Sequence, residues 1–295
     1  MTTLVTGATG IVGRNVVAQL VEAGEPVRAL TRNPEAAKFP AEVEVAQGDL
    51  ARPDTLAAAL AGVERLYLFP VAQTAREVVD MAKKAGVRRI VVLSSGAVTG
   101  GFDTDFHLPV EQAVEASGLE WTHVRPGEFA YNKVHLWGPS IRAERVVRYP
   151  NPDQIGVAPV HEADIAAVAV AALLNDGHAG QAYTFTGPEQ LTLRQQVEAI
   201  AAGLGEEVRF EEVTAEEARR ILKKQGGWAA ANADMLLGFE AYSEPEPGSE
   251  APDFSFSEEE LAEMLKPTPE AVEQVTGKPA RTFTQWARDH ADDFR

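Results

Sequence analysis

Short apolar runs alternate with helical patterns through the first half of the chain. The runs are rich in Val, Ile and Leu, and between them apolar residues recur at the spacing of a helix that buries one face. The predicted strands are Thr3–Thr6, Val27–Thr31, Val43–Gln47, Arg65–Phe69, Arg89–Leu93 and Glu120–Arg125, and the predicted helices are Ile11–Ala23, Pro53–Leu60, Gln73–Ala85 and Asp105–Ser117. This alternation predicts an α/β fold, a Rossmann doubly wound parallel sheet.

The alternation breaks down after about Gly127. Strand patterns are predicted at Gln181–Thr186 and Val208–Val213, and helical patterns at Glu162–Leu174, Leu193–Gly203, Ala215–Gln225 and Phe283–Phe294. We therefore expect residues 1–127 to form mainly the Rossmann core. Residues 128–295 are expected to form mainly a small C-terminal α+β substrate lobe, with elements that return to the core. An acidic stretch containing prolines favours a loop or lid near residues 240–256.

Three glycines stand directly between the first predicted strand and the first predicted helix. Gly7, Gly10 and Gly13 follow the G-x-x-G-x-x-G spacing. In a dinucleotide-binding turn the first glycine permits the tight turn, the second lets the backbone approach the pyrophosphate, and the third lets the helix pack closely on the strand. The helix N-terminus then offers N–H groups and a positive dipole end to a phosphate. We expect Thr9, Ile11 and Val12 to complete this contact; the alternative is an ordinary glycine-rich loop.

The end of the second strand indicates which nicotinamide cofactor is bound. In NAD-specific sites an acidic residue at this place accepts hydrogen bonds from the ribose 2′-hydroxyl. Here Arg32 occupies it, with Arg28 and Lys38 nearby in the sequence. A guanidinium can pair with a 2′-phosphate in a bidentate manner, so Arg32 and Lys38 favour NADP(H). The alternative is that Arg32 is a solvated turn residue.

Later strand ends should also face the cofactor, because ligands of open α/β sheets bind outside the carboxyl ends of the strands. Asp49 would accept from the adenine amino group while Leu50 packs on the ring. Ser94 and Ser95 would hydrogen-bond the nicotinamide ribose or a substrate carbonyl. The end of the fourth strand contributes Phe69, Pro70 and Val71. For each of these residues the alternative is turn chemistry, with Asp49 as a helix or Asx cap.

Composition narrows the class of protein further. The chain has 295 residues, of which 45% are hydrophobic and 24% charged, which is typical of a globular protein. Its formal net charge of -17 would repel a phosphate backbone, so we expect no nucleic-acid partner. It has no cysteine, no metal-ligand spacing, no leader pattern and no long apolar stretch, so we expect no metal, no membrane and a cytoplasmic location.

These motifs together carry a family resemblance. They read TGATGIVG over residues 6–13, TRNP over 31–34, GDL over 48–50, SS over 94–95, HLPVE over 107–111 and SGLEWTHVRP over 117–126. The chain resembles the NmrA-like branch of the atypical short-chain dehydrogenase/reductases. The resemblance implies a Rossmann core, a preference for NADP(H) and a small C-terminal lobe that holds any substrate. The family includes quinone reductases, aromatic-carbonyl reductases and regulators that only sense nucleotide.

The usual proton donor of the wider superfamily is missing. Ordinary members use a Tyr-x-x-x-Lys motif, but no tyrosine of this chain has a lysine four residues later. In relatives that reduce phenylpropanoid compounds, a lysine stands four residues before a glutamate; here His107 stands four residues before Glu111, as in a quinone-reductase subgroup. His107 and Ser95 are therefore the catalytic candidates, and Asp103, Asp105 or Glu111 would orient His107. The alternative is a structural histidine at a helix start.

An aromatic substrate is expected in the segment after the sixth strand. Phe129, Asn132 and Trp137 are the substrate-binding candidates, although core packing explains the aromatic ones equally well. The sequence therefore predicts an NADPH-dependent reductase of a ketone or quinone on an aromatic small molecule. The alternative is a non-catalytic NADP(H) sensor that acts on another protein.

Overall fold

The computed structural model describes residues 1–240 and 265–295, which fall into two compact units. The first unit comprises Met1–Pro126, Glu162–Phe185 and Glu270–Pro279, and the second comprises the remaining described residues from Gly127 to Arg295. From Ala241 onward, the acidic loop expected near residues 240–256 lies outside the described residues.

A seven-stranded sheet forms the centre of the first unit, and every neighbouring pair of its strands is parallel. Its strands are β1 (Thr2–Val5), β2 (Val27–Thr31), β3 (Glu44–Gln47), β4 (Val63–Leu68), β5 (Arg89–Leu93), β6 (Glu120–Pro126) and β8 (Gln181–Phe185). The order is β3-β2-β1-β4-β5-β6-β8, which reverses direction between β1 and β4. The predicted doubly wound sheet is thereby confirmed. Its carboxyl ends at β1 and β4 are where such folds bind ligands.

The helices of the first unit bury apolar faces against this sheet. They are α1 (Ile11–Glu22), α2 (Ala57–Leu60), α3 (Ala75–Ala85), α4 (Gly96–Thr99), α5 (Leu108–Glu115), α7 (Glu162–Leu174) and α11 (Glu270–Thr276). Helix α7 is apolar almost all round because it packs against α1, α11 and the strands β4, β5 and β6 together. A helix surrounded in this way needs no polar face, which explains its run of Ile, Val, Ala and Leu.

The second unit has its own aromatic core. Its elements are α6 (Asn132–Glu144), β7 (Val146–Tyr149), α8 (Leu193–Leu204), β9 (Arg209–Glu212), α9 (Ala215–Gln225), α10 (Gly227–Leu236) and α12 (Phe283–Asp289), followed by a 3₁₀ turn at Ala291–Phe294. Strands β7 and β9 pair in parallel. Phe283, Trp286 and Phe294 are fully buried, and Trp137 packs into the same cluster. This unit therefore does not depend on the large sheet for its core.

Several segments differ from the sequence-based expectation, among them β7, α10 and α11, which were not predicted. The strand Gln181–Phe185, expected in the C-terminal lobe, is the seventh strand of the large sheet because it pairs with β6. The helix expected over Asp105–Ser117 begins only at Leu108, because residues 103–107 form a turn around the Asp103 carboxylate. Helix α6 was not expected, and it contains Pro139.

Helix α6 tolerates this proline through a tertiary hydrogen bond. Pro139 has no N–H, so the carbonyl of His135, four residues earlier, lacks its helical donor. The side-chain amide of Gln225 donates to that carbonyl at 2.5 Å. The replacement comes from α9, 90 residues away, so no local pattern could reveal it. No helix in the described residues is both long and apolar enough to cross a bilayer.

Candidate functional site: a dinucleotide cradle at the carboxyl ends of the strands

The glycine turn has the geometry that the phosphate-binding role requires. Gly7 adopts a left-handed conformation with φ of 59°, and its carbonyl accepts from the N–H of Gly10 at 2.9 Å. A Cβ atom on Gly13 would lie 2.2 Å from the Gly7 carbonyl oxygen, so only glycine lets α1 start this close to the turn. The N-cap residue of α1 is Gly10, which has no side chain to cap the helix. Its first N–H groups are therefore suited to a phosphate.

The residues around the glycines divide into exposed and buried members. Thr9 and Gly10 are exposed and Ile11 is half-buried. The side chain of Val12 is buried in the core, so Val12 can meet a phosphate only through its backbone. The turn thus offers mainly backbone groups, as expected for a site that binds a pyrophosphate.

Thr6 ties the turn to the neighbouring strand end. Its hydroxyl donates to the carbonyl of Tyr67 at 2.9 Å and accepts from the N–H of Phe69 at 2.7 Å. These bonds place the Phe69 ring against Gly7, where a Cβ atom would lie 3.1 Å from it. We did not single out Thr6 from the sequence, although a threonine immediately before the first glycine was the available signal.

An apolar recess adjoins the turn at the ends of β3 and β4. Leu50, Phe69 and Val71 line it together with residues of α3. The Thr74 hydroxyl donates to the Leu50 carbonyl at 2.7 Å and so fixes one wall. Pro70 is buried behind the exposed Phe69. The structure therefore brings together three of the residues predicted to face the cofactor on one apolar surface.

Arg32 and Lys38 are exposed, whereas Arg28 is not available to a ligand. The Arg28 guanidinium donates to two backbone carbonyls, each at 2.7 Å, and pairs with Glu44 at 2.9 Å. Within residues 1–240 and 265–295, no carboxylate pairs with Arg32; only its backbone carbonyl accepts, from Gln47 at 3.5 Å. Arg32 thus remains a cation without an anionic partner at the end of β2.

Asp49 takes part in turn chemistry. One carboxylate oxygen accepts from the N–H of Ala51 at 3.0 Å, and the other lies 3.7 Å from the guanidinium of Arg52. This is the Asx arrangement expected as the alternative to adenine binding. The carboxylate is a quarter exposed, so the turn role does not shield it completely from a ligand.

Ser94 and Ser95 differ in what their hydroxyls do. Ser95 caps α4 by accepting from the N–H of Ala97 at 3.1 Å. Ser94 is 1% exposed, and its hydroxyl faces the Glu111 carboxylate, where its hydrogen bond helps to lower the pKa of Glu111. The position of Ser94 immediately after β5 places it at the ligand-binding edge of the sheet.

His107 is held by Asp103. The Nδ1 atom of His107 is in hydrogen-bond contact with one oxygen of Asp103, and the backbone N–H of His107 donates to the other at 2.9 Å. Burial alone would raise the pKa of the Asp103 carboxyl, but the hydrogen bonds from His107 lower it below its ordinary value. Of the three acids expected to orient His107, Asp103 contacts its ring directly.

Glu111, also expected to orient His107, pairs with Arg125. The guanidinium of Arg125 donates to both oxygens of the buried Glu111 at 2.9 and 2.5 Å, and to the Thr99 hydroxyl at 3.2 Å. Burial would raise the pKa of Glu111, yet the Arg125 pairing lowers it on balance. His123, on β6 next to this pair, is buried and bonds to Glu115 at 3.0 Å; burial lowers its pKa.

Glu111, Glu115 and His123 offer ligand atoms within 4.8 Å of one another, a grouping that sequence spacing did not reveal. Glu111 and Glu115 lie one turn apart on α5, and His123 comes from the adjacent strand. The guanidinium of Arg125 already balances the charge of Glu111, the buried carboxylate of this group. The cluster therefore needs no metal ion to balance that charge.

The substrate candidates lie in the second unit. Phe129 is half-buried and bridges to Val160, and Asn132 is half-buried at the start of α6. Trp137 is 2% exposed and packs among the core residues of its unit, so the structure supports core packing for it. Tyr131, His135 and Trp228 form a row of half-buried rings with successive centroids 5.4 Å apart, which the sequence did not indicate.

Comparison with known proteins agrees with this cradle. The NAD(P)H-binding family matches residues 7–176, which is more than half of the chain. A reductase of (4-alkanoyl-5-oxo-2,5-dihydrofuran-3-yl)methyl phosphate from Streptomyces griseus is 39% identical, over 99% of this chain and 98% of its own. An NAD(P)H azoreductase from Xenophilus azovorans is 34% identical over 99% and 98%.

The same fold occurs in solved structures. A new type of NADPH-dependent quinone oxidoreductase from Escherichia coli matches with a TM-score of 0.72 and 24% identity, over 98% of this chain and 99% of its own. NmrA itself shares the fold. The fold and the glycine cradle define a nicotinamide-dependent Rossmann oxidoreductase. The chain belongs to the NAD(P)H-binding family, and it shares with NmrA the fold that the predicted resemblance implies.

Proposed function

We propose that this protein is an NADPH-dependent reductase of a ketone or quinone on an aromatic small molecule. The observation that carries the proposal is Arg32: its exposed guanidinium, which pairs with no carboxylate of the described residues, stands at the end of β2, the strand next to the glycine turn. An acidic residue there would favour NADH, whereas a guanidinium suits the 2′-phosphate of NADPH. Lys38, also exposed, adds a second positive charge nearby in the sequence.

Each part of the cofactor has a matching surface in the first unit. The uncapped N-terminus of α1 above Gly7, Gly10 and Gly13 suits the pyrophosphate. The apolar surface of Leu50 and Phe69 would pack against one face of the adenine ring. Ser94 and Ser95 stand at the end of β5, where they suit the nicotinamide ribose or a substrate carbonyl. When bound, NADPH supplies a hydride to the substrate.

The protein then has to hold the substrate, exclude water and provide a proton. Phe129 and Asn132 are half-buried in the second unit and suit an aromatic ring and a polar group. The proton for a reduced carbonyl oxygen would come from His107, Ser95, water or a hydroxyl of the substrate itself. The named relatives reduce an unsaturated furanone phosphate and azo compounds, which supports a conjugated substrate with electron-poor double bonds.

Oxidation of NADPH in the presence of a substrate panel tests the proposal. The panel contains quinones, aromatic ketones and azo compounds, each measured with NADPH and with NADH. We expect turnover with at least one quinone or ketone, and a higher kcat/KM with NADPH. Arg32→Asp should abolish this preference. The matched control is Arg14→Ala, which removes a cation from the exposed side of α1 and not from the end of β2, so it should preserve the preference for NADPH.

The second candidate function is a non-catalytic NADP(H) sensor. The observation that favours it is the missing Tyr-x-x-x-Lys motif: no tyrosine of the chain has a lysine four residues later. Tight binding of both NADP⁺ and NADPH with no turnover across the whole panel would support the sensor and contradict the reductase.

A cytoplasmic location remains part of the proposal, supported by the absence of cysteine.

A further inference from the structure

Asp103 is a fully buried carboxylate whose hydrogen bonds come from the turn before α5. Its side chain has 0% exposure. One oxygen accepts from the N–H groups of Phe106 and His107 at 3.1 and 2.9 Å, and the other contacts Nδ1 of His107. Among the described side chains, no lysine or arginine pairs with Asp103. A buried carboxylate without compensation is costly, so the His107 ring is part of what keeps this charge in place.

This contact determines which nitrogen of His107 carries the proton. An ionised carboxylate can only accept a hydrogen bond, so Nδ1 must be the donor. Nε2 is then the nitrogen left for chemistry, and no described residue hydrogen-bonds to it. The His107 side chain is 13% exposed, and the Phe106 ring packs edge-on against it with centroids 4.7 Å apart. The ring is thus held in one orientation and tautomer while it keeps access to solvent.

The backbone of His107 is fixed as well. Its carbonyl accepts from the N–H groups of Val110 and Glu111 at 3.0 and 3.1 Å. The Glu111 side chain is anchored to Arg125 at the end of β6. His107 is therefore attached to the carboxyl edge of the sheet, the edge that carries the cofactor candidates. A histidine that served only to start a helix would not need a buried carboxylate behind its ring.

We propose that Asp103 is a positioning residue that holds His107 so that Nε2 delivers a proton to the substrate oxygen during ketone reduction. The inference rests on the proposed function. A hydride from NADPH forms the new C–H bond and leaves NADP⁺. The Nε2–H bond of the imidazolium breaks as the O–H bond of the alcohol forms. Neutral His107 then recovers its proton from solvent through its exposed edge.

Two substrate classes separate proton delivery from general folding effects. A reduced ketone is an alkoxide, which needs a proton at once. A reduced quinone is a phenolate, whose acid has a pKa of about 10 and which is stable enough to take a proton later from water. Loss of the proton donor should therefore slow ketones and spare quinones. A structural defect should slow both.

Asp103→Asn is the decisive variant. The amide oxygen still accepts from the two backbone N–H groups, while the amide nitrogen donates to Nδ1 and selects the opposite tautomer. We expect kcat for an aromatic ketone to fall about 10²- to 10⁴-fold. We expect kcat for a quinone and KM for NADPH to change by less than about threefold. His107→Ala should show the same selective loss, and the double variant should lose little more.

A second histidine–aspartate pair supplies the matched control. In the second unit, Nδ1 of His290 contacts Asp293 at 2.7 Å. Asp293→Asn changes the same kind of bond, and ketone turnover should stay within about threefold of wild type. ¹⁵N NMR of the imidazole rings gives an independent readout, with the His107 signal assigned by its loss in His107→Ala. In the neutral form of the ring, it should show Nδ1–H in wild type and Nε2–H in Asp103→Asn, whereas the imidazolium carries both protons.

Several outcomes would overturn the inference. Ketone turnover within threefold of wild type in folded Asp103→Asn would do so, as would equal losses for ketones and quinones. If Asp103→Asn does not fold, His107→Gln carries the same comparison, with the same ketone-selective loss expected. A wild-type protein that reduces quinones but no ketone would overturn proton delivery and leave the reductase standing. If no substrate oxidises NADPH, the proposed function falls as well.

Discussion

Replacing Gly13 by alanine tests the cradle at its tightest point. A Cβ atom there would stand 2.2 Å from the Gly7 carbonyl oxygen and 2.7 Å from its carbonyl carbon. Close C···O contacts in proteins are roughly 3.3 Å, so the turn or the helix has to move by about 1 Å. Both neighbours are backbone atoms, which cannot rotate away as a side chain can. Overpacking of this kind costs about 1–3 kcal/mol of stability.

Cofactor binding should suffer from the same movement. A shift of the Gly7 carbonyl or the start of α1 displaces the N–H groups that face the phosphates. We expect the Kd for NADPH to rise at least tenfold, which corresponds to about 1.4 kcal/mol. Calorimetric titration measures the affinity, and urea unfolding measures the stability.

Two other glycines calibrate the Gly13 result. At Gly10 an added Cβ would meet only the Gly7 oxygen, at 3.1 Å, so Gly10→Ala should have an intermediate effect. At Gly156 nothing lies within 4 Å and φ is not positive, so Gly156→Ala should match wild type. If Gly13→Ala bound NADPH and unfolded like Gly156→Ala, the close approach of Gly13 to the Gly7 carbonyl would not be required for cofactor binding or for stability.

Four further predictions follow from individual side chains. Arg32→Asp should weaken NADPH far more than NADH in titrations, and equal losses would remove Arg32 from the phosphate site. Arg125→Met should cost about 3–5 kcal/mol in urea unfolding because it leaves Glu111 buried alone. Adding Glu111→Met should recover much of this loss, and no recovery would contradict the pairing. The pKa of Glu111 is lower in the folded protein than its ordinary value of about 4.3, so the ionised carboxylate stabilises the fold fully above that pH. This stabilisation is lost as the pH falls through the lower, folded pKa. Glu111→Gln should therefore reduce the loss of stability at acid pH. Trp137→Leu should lower stability by more than about 1 kcal/mol and leave the KM of an aromatic substrate unchanged; a raised KM would return Trp137 to the substrate site.

Elements with a strong local pattern could be predicted from the sequence. The predicted and observed bounds coincide for Val27–Thr31, Arg89–Leu93, Glu162–Leu174 and Ala215–Gln225. Each is an apolar run, or a helical pattern, that ends where glycine, polar or helix-breaking residues begin. Helix α6 escaped prediction because Pro139 argues locally against it. The bond from Gln225, a tertiary contact, replaces the donor that Pro139 lacks.

The residues of the candidate site also divide into those that a local motif reveals and those that depend on tertiary contacts. The glycine turn is a local motif, and its residues could be identified together with Arg32. The recess at Leu50, Phe69 and Val71 could be expected because parallel strands end at one edge. Which acid would hold His107 could not be decided, because Asp103 and Glu111 both lie four residues away from it. The turn bends back on Asp103, while Arg125 on β6 takes Glu111, and that choice needs the packing of α5 on the sheet.

The central claim is that the cradle holds NADPH as a hydride donor. NADPH deuterated at the transferring position of nicotinamide C4, combined with the aromatic ketone that turns over fastest, tests it most directly. Mass spectrometry of the product should show one deuterium at the carbinol carbon, in step with the NADPH consumed. Tight NADPH binding without any deuterium in a product would contradict the account and identify a protein that holds the cofactor without using it.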